Sequence, residues 1–239
     1  MTTLVIVPTY NERENVPPLV DALVAHERVN VLIVDDNSPD GTGAVADDLA
    51  ARHPGRVSAL HRTADRGFGR SYIDGIRRAL REPVDVIAQM DADFSHDPVR
   101  LPALVAAAEG ADVVIGSRYT RGGGIRNWSA QRRLLSRFAN VYVRAVTGLR
   151  ARDCTSGFRC WRRDALAALP LDQFVSDGYS FLVEMLFVAA QQGQRIAEVP
   201  ITYVERREGE SKMSRGVILE SAVTPWRLVA TRGRVRAIV

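Results

Sequence analysis

The sequence predicts an α/β fold with a mostly parallel central sheet flanked by helices. Three observations predict it. Short apolar runs alternate with longer segments of helical period through the first half of the chain, the pattern of strands joined by crossover helices. The runs are almost continuously apolar: Leu4-Val5-Ile6-Val7, Val31-Leu32-Ile33-Val34, and Val84, Val86, Ile87, Ala88 and Met90 in the third. Strands covered on both faces read this way. Each of these runs ends in a polar cluster, and open parallel sheets bind ligands beyond the carboxyl ends of their strands.

In chain order, strands are expected near residues 4–8, 31–35, 57–61, 84–90 and 112–116, with helices near 14–26, 41–52, 69–81 and 98–109. The second half is less regular. Helices are expected near 130–147 and 178–192, and a short strand over 195–200. Between them, Thr120-Arg121-Gly122-Gly123-Gly124 suits either a mobile segment over a site or an ordinary turn. The stretch from Val217 to Val229 is apolar on much of its surface, is interrupted by Pro225, and leads into Arg232, Arg234 and Arg236. Trp226 and Leu228 beside Arg227 suit a helix lying in a membrane interface, or a terminal helix packed on its own core. The expected division is a catalytic domain over 1–212 and an amphipathic, basic tail over 213–239.

A chain of 239 residues, 46% hydrophobic, suits one α/β domain with at most a small appendage. No apolar run approaches the roughly 18 residues of a transmembrane helix, and the N-terminus lacks the pattern of a secretory signal. Two cysteines, Cys154 and Cys160, are too few for a disulfide framework and read as reduced thiols of a cytoplasmic protein. The net charge of +4 hides an asymmetry. Residues 1–115 hold 11 arginines against 18 carboxylates, while residues 116–239 hold 21 basic residues against 10 acids. The basic half suits phosphates or an anionic membrane surface. No nucleic-acid-binding motif is visible, so nucleic acid is not expected as a partner. Lys212 is the only lysine among 32 basic residues. It is a compact ammonium where the chain otherwise uses guanidinium.

Asp91 and Asp93 follow the third apolar run. Two carboxylates this close raise each other's pKa. A hard divalent cation, which prefers oxygen ligands and bridges a carboxylate to a diphosphate, relieves that cost. Asp35-Asp36-Asn37-Ser38-Pro39-Asp40-Gly41-Thr42 follows the second run, and Pro8-Thr9-Tyr10-Asn11-Glu12 ends the first. To these are added Met90-Asp91-Ala92-Asp93-Phe94-Ser95-His96, Gly116-Ser117-Arg118-Tyr119, Thr155-Ser156-Gly157-Phe158-Arg159, and the run from Glu198-Val199-Pro200-Ile201 to Gly209-Glu210-Ser211-Lys212. This ordered set, spanning residues 4 to about 213, resembles the family-2 glycosyltransferases of the GT-A fold. Within them it is most similar to the dolichyl- or polyprenyl-phosphate mannose synthases of the short type without transmembrane helices.

The resemblance implies inverting transfer of mannose from GDP-mannose to a polyprenyl monophosphate, with Mg²⁺ or Mn²⁺. It implies Asp91 and Asp93 as metal ligands, with Ser95 where the family often has a side-chain amide. Pro8, Tyr10, Glu12, Val34, Asp36 and Ala92 would line the nucleotide-sugar pocket. Arg118, Arg132, Arg206 and Lys212 would be the phosphate-binding cations. Arg118 and Lys212 would serve both phosphates, and Arg132 and Arg206 would grip the acceptor. Asp93, Arg118 and Lys212 are the residues on which catalysis is expected to turn. Asp35 is expected to pin its turn. Arg66-Gly67-Phe68-Gly69 resembles a family turn before a helix, although Arg70 stands where a small residue is usual. Asp177 and Glu184 suit either sugar hydroxyls or helix capping. Trp128 suits either the lipid or packing. The implied setting is the inner face of a membrane, reached peripherally or through a separate membrane-anchor protein. Two other readings remain open: a UDP-glucose-dependent polyprenyl-phosphate glucosyltransferase, and a non-catalytic nucleotide- or lipid-phosphate-binding protein.

Overall fold

The computed structural model describes residues 1–63, 66–205 and 215–231. Seven strands form one sheet: β1 (Thr3–Thr9), β2 (Val29–Asp35), β3 (Val57–His61), β4 (Val86–Gln89), β5 (Val113–Ser117), β7 (Arg159–Arg162) and β8 (Ile196–Pro200). Their spatial order is β3-β2-β1-β4-β7-β5-β8. All pairings are parallel except those of β7, which runs antiparallel to both β4 and β5. A second, two-stranded sheet pairs β6 (Gly124–Arg126) in parallel with β9 (Thr202–Val204).

The apolar runs are buried on both faces, as their composition requires. Leu4, Ile6, Leu32, Val34, Ile87 and Ile115 face one cluster, and Val5, Val7, Val31, Ile33, Val86 and Ala88 face the other. Helices α1 (Val16–Val24), α2 (Thr42–Arg52) and α4 (Leu101–Ala107) cover the second cluster. The first is covered by α3 (Phe68–Ala79), α5 (Ala130–Thr147), α6 (Arg163–Ala167), α7 (Gly178–Gln191) and α8 (Arg215–Ala230). Prolines at Pro17 and Pro102 sit in the first turns of α1 and α4, where a missing N–H costs nothing.

Two expectations are revised. The strand expected over 84–90 is confined to Val86–Gln89. A strand not expected at all, β7, is wedged between β4 and β5. The glycine-rich segment 120–124 is a tight turn leading into β6, the second of the two readings its sequence allowed. Gly123 donates its N–H to Thr120 at 2.9 Å, and a Cβ there would lie 2.5 Å from the Ser117 carbonyl oxygen. The close approach of two backbones, not mobility, is what requires glycine at that position.

The C-terminal helix packs on the core of the domain along part of its surface, the second of the two readings its sequence allowed. Thr224 and Leu228 are buried, and Leu228 joins the core shared with α5 and α7. Val223 and Trp226 remain exposed.

Candidate active site

The chain runs outward from β1 to β2 and β3, then returns to β4 on the other side of β1. A switch point therefore lies between β1 and β4, and a crevice beyond it is where such sheets hold ligands. The segments following β1, β2 and β4 deliver Tyr10 and Glu12, Asp35 and Asp36, and Asp91 and Asp93 to this edge.

Asp35 does structural work. Its carboxylate accepts from the Thr9 hydroxyl at 3.2 Å, the Ser38 hydroxyl at 2.5 Å and the Ser38 N–H at 3.1 Å. Asp36 is buried and holds Arg62 through Nη1 and Gly67 through its N–H at 2.9 Å. A carboxylate has about four acceptor positions, so among the described residues part of its capacity is left. Arg62 in turn reaches Asp74 at 2.7 Å. The Arg66 guanidinium lies over the Tyr10 ring, 4.8 Å from its centroid, and bonds its hydroxyl. Glu12 accepts from the Asn15 amide at 2.8 Å. Pro8 is half-buried at the end of β1. The Val34 side chain is fully enclosed in the core beneath α3, so only its backbone can meet a ligand.

Asp91 is half-exposed, Asp93 is buried, and Ala92 is enclosed between them. Asp93 Oδ1 accepts the Ser95 N–H at 3.0 Å, while the fully buried Ser95 Oγ makes no well-formed hydrogen bond. Among the described residues, no group of three His, Cys, Asp or Glu side chains is arranged to hold a metal. Two carboxylates with an orphaned hydroxyl beside them nevertheless fit a hard cation that completes its shell with substrate phosphates and water. His96 Nε2 lies 3.7 Å from Asp91. Burial pushes the His96 pKa down to about 4, so it stands neutral near pH 7. Its ring packs edge-on against Phe158 and Tyr203, at 5.4 Å from each.

Tyr203 links this edge to the cations. Its ring meets Trp128 at 5.1 Å, and Arg132 lies 4.1 Å over the Trp128 ring. Arg118 is ringed by Tyr119, Trp128 and Tyr203 at 5.4, 5.9 and 5.6 Å. Trp128 thus packs between the two arginines. Arg118 is buried and bound by Asp153, which accepts from Nε at 2.7 Å, Nη2 at 2.6 Å and the Arg118 N–H at 2.9 Å. Burial alone would push the Asp153 carboxyl up, but the guanidinium overrides it and holds the group below the ordinary range. Arg118 shows the mirror effect: burial opposes its charge, and Asp153 raises its pKa. Arg132 donates from Nη1 to Glu205 at 2.5 Å. Arg206 and Lys212 lie outside the described residues.

The weaker sequence matches resolve as capping. Gly67 gives its N–H to Asp36, and Gly69 gives its own to Asp177 at 2.5 Å, so the first turn of α3 is already served by carboxylates. Asp177 also takes the Gly178 N–H at 2.8 Å as the cap of α7. Glu184 accepts the Ser176 N–H at 3.0 Å from within the core. Sequence reasoning passed over Asp153, although it stands two residues before the Thr155–Arg159 motif. A lone aspartate among arginines gave no sign of which one it would hold.

Comparison with known proteins agrees with this geometry. The family model for glycosyl transferase family 2 matches residues 4–169. An undecaprenyl-phosphate mannosyltransferase of Micrococcus luteus is 48% identical over 99% of this chain and 98% of its own length. A polyprenol monophosphomannose synthase of Mycolicibacterium smegmatis is 45% identical over 99% of this chain and 91% of its own. Among solved structures, a glucosyl-3-phosphoglycerate synthase of Mycobacterium tuberculosis, in complex with Mn²⁺, uridine-diphosphate-glucose and glycerol 3-phosphate, has a TM-score of 0.67. The match covers 97% of this chain and 79% of that one, at 17% identity. A mannosyl-3-phosphoglycerate synthase of Rubrobacter xylanophilus gives 0.66, over 100% and 76%, also at 17%. At such identity these two establish a shared GT-A fold and nothing more.

Proposed function

The chain belongs to glycosyl transferase family 2, and we propose that it transfers mannose from GDP-mannose to a polyprenyl monophosphate, with inversion, releasing GDP. The observation that carries the proposal is the meeting, across His96, Tyr203 and Trp128, of a carboxylate-bearing sheet edge with the guanidiniums of Arg118 and Arg132. One edge suits a nucleotide diphosphate with its cation, and the other suits an acceptor phosphate. The near full-length relatives, named for transfer of mannose to polyprenyl phosphates, support the same assignment.

Pro8, Tyr10, Glu12, the Val34 backbone, Asp36 and Ala92 would form the nucleoside side. Asp91 and Asp93, with Ser95, would hold Mg²⁺ or Mn²⁺, whose charge offsets the negative charge that grows on a departing diphosphate. Arg118 and Arg132 would orient phosphate oxygens. Arg206 and Lys212 are proposed for the same task on the strength of their motif alone. A phosphate monoester is already anionic near pH 7, so its oxygen attacks the anomeric carbon while the bond to the diphosphate oxygen breaks on the opposite face. No side chain has to remove a proton.

A lipid acceptor implies work at a membrane surface, and the attachment proposed is peripheral, to the inner face from the cytoplasm. No helix among the described residues is long and apolar enough to cross a membrane. Support for attachment comes from α5. Its outward face carries Leu134 (71% exposed), Leu135, Phe138 (65% exposed) and Val141, and the neighbouring α8 adds Val223 and Trp226. α5 also bears four arginines and no acid. An apolar patch fringed by arginine suits a headgroup layer of anionic lipid.

The test is transfer by the purified protein from radiolabelled GDP-mannose or UDP-glucose, in parallel, with Mg²⁺ and a polyprenyl phosphate. Label should enter the organic phase from GDP-mannose only. Label from UDP-glucose alone would reassign the sugar. Binding of GDP without transfer from either donor would favour a non-catalytic chain or one that needs a membrane-anchor partner.

A further inference from the structure

Thr155 opens the Thr155–Arg159 motif, and nothing above gives it a task. Its hydroxyl joins three side chains from separate parts of the fold. It accepts from Arg118 Nη2, just beyond β5, at 2.8 Å, and from Asn140 Nδ2 on α5 at 3.1 Å. It donates to Asp153 Oδ1 at 3.4 Å. A hydroxyl offers one donor and two acceptor positions, so all three are filled and its orientation is fixed. Thr155 itself is only half-buried, at the rim of the enclosed Arg118–Asp153 pair.

The segment around it is clamped from two sides. Asn140 is buried within α5, accepts the Cys154 N–H at 2.7 Å and donates to the Ser136 carbonyl at 3.0 Å. Glu198 on β8 takes the N–H groups of Arg152 and Asp153 at 2.9 and 3.0 Å. Arg159, fully buried, donates to the carbonyls of Ser156, Leu182 and Cys154 at 2.8, 2.6 and 2.8 Å. Residues 152–159 are therefore a rigid mount, and Arg118 is what the mount holds.

The consequence for Arg118 is directional. Asp153 takes Nε and one side of Nη2, and Thr155 takes the other. Asp153 also neutralises the charge at close range. Arg118 then acts less as a diffuse positive charge than as an aimed N–H donor. Among the described residues, Nη1 is the end that makes no hydrogen bond.

We propose that Thr155 is the positioning residue of Arg118, closing the Nη2 end so that Nη1 points at the phosphate. The proposal rests on the reading of Arg118 as a phosphate-binding cation. It goes beyond that reading by assigning the motif residue that sets its aim.

The test compares Thr155→Val, which keeps the shape and removes the hydroxyl, with Thr155→Ser, which keeps the hydroxyl. Arg118→Met serves as a control. Steady-state kinetics with GDP-mannose and a short-chain polyprenyl phosphate are read beside GDP binding and thermal melting. Misplacement of a substrate-positioning group costs on the order of 10- to 100-fold in rate. Thr155→Val should lose kcat by about that factor with its KM for GDP-mannose little changed, melting somewhat lower because Arg118 Nη2 and Asn140 Nδ2 lose an acceptor, and Thr155→Ser should restore both turnover and melting. Should Thr155→Val fail to fold, Thr155→Ala against Thr155→Ser makes the same comparison. Wild-type kcat in the variant lacking the hydroxyl, or equal impairment in Thr155→Ser, would overturn the positioning role. Wild-type turnover in Arg118→Met would overturn the reading of Arg118 itself, and the positioning role with it.

Discussion

At the scale of single residues, Asp93 carries the sharpest expectation. Its Oδ1 accepts the Ser95 N–H, a bond that an asparagine oxygen keeps. Asp93→Asn should therefore melt like the parent while losing the charge that a hard cation needs. Because such a cation supplies several kcal/mol to the departing charge, turnover should fall by about a thousandfold or more. Transfer assays over a Mn²⁺ titration, with circular dichroism as the fold control, decide it; a variant that turns over normally removes the metal from the mechanism. Which residues stood at the edge was legible in the sequence, because Asp91, Asp93, Asp35 and Asp36 each end an apolar run. What each does there was less so. Asp36 already grips Arg62 and Gly67, and Arg118 is bound to Asp153, a partner 35 residues away. Local patterns announce the ends of strands but carry no record of long-range ion pairs.

At the scale of elements, the periodic segments were read well and the irregular ones were not. The helix expected over 130–147 is α5, Ala130–Thr147, and that expected over 69–81 is α3, Phe68–Ala79. β7 escaped notice for a physical reason. Arg159-Cys160-Trp161-Arg162 is only four residues long and begins with a fully buried arginine, so it shows neither alternation nor an apolar run. Its place between β4 and β5 is set by tertiary packing: Trp161 Nε1 donates to Gln89 at 2.8 Å. The seating of α3 is testable at Gly75. A Cβ there would come within 2.7 Å of Ile6 Cγ2 and 3.0 Å of Val34 Cγ2, both in the core of the sheet. Alanine is ordinarily the better helix former. Here overpacking of a close-packed core should win, and Gly75→Ala should lower stability by about 1–3 kcal/mol. Urea unfolding measures it; an unchanged or raised midpoint would mean that the helix can lift off the sheet at little cost.

At the scale of the whole molecule, the split of charge between the two halves takes on a spatial meaning. The acidic half supplies the switch-point edge, and the basic half supplies α5, which meets the core through Val143 but otherwise buries polar residues and exposes apolar ones. Its buried positions include Asn140 and Thr147, while its exposed positions include Leu134, Phe138 and Val141. Asn140 is accounted for by its bonds to Cys154 and Thr155 beneath the site, and Thr147 by its bond back to the Val143 carbonyl at 2.6 Å. Solvation does not account for an apolar outer face, and a lipid surface is the occupant proposed for it. Tyr142 ties the helix to α8 through the Ala222 carbonyl at 2.6 Å, so the two helices present their apolar residues together. Two terms should then appear in binding to vesicles. Arginines near the surface contribute about 1 kcal/mol each toward anionic lipid and fade with added salt. The apolar side chains contribute a part that salt does not remove. The protein should therefore co-sediment with phosphatidylglycerol-containing vesicles more strongly than with neutral ones, and binding should weaken from 0.05 to about 0.5 M salt without vanishing. Replacing Leu134 and Phe138 together by serine touches no buried contact of the core and should remove the salt-resistant part while leaving the melting temperature in place. If that double variant binds as the parent does at both salt concentrations, α5 is not the surface that meets the lipid.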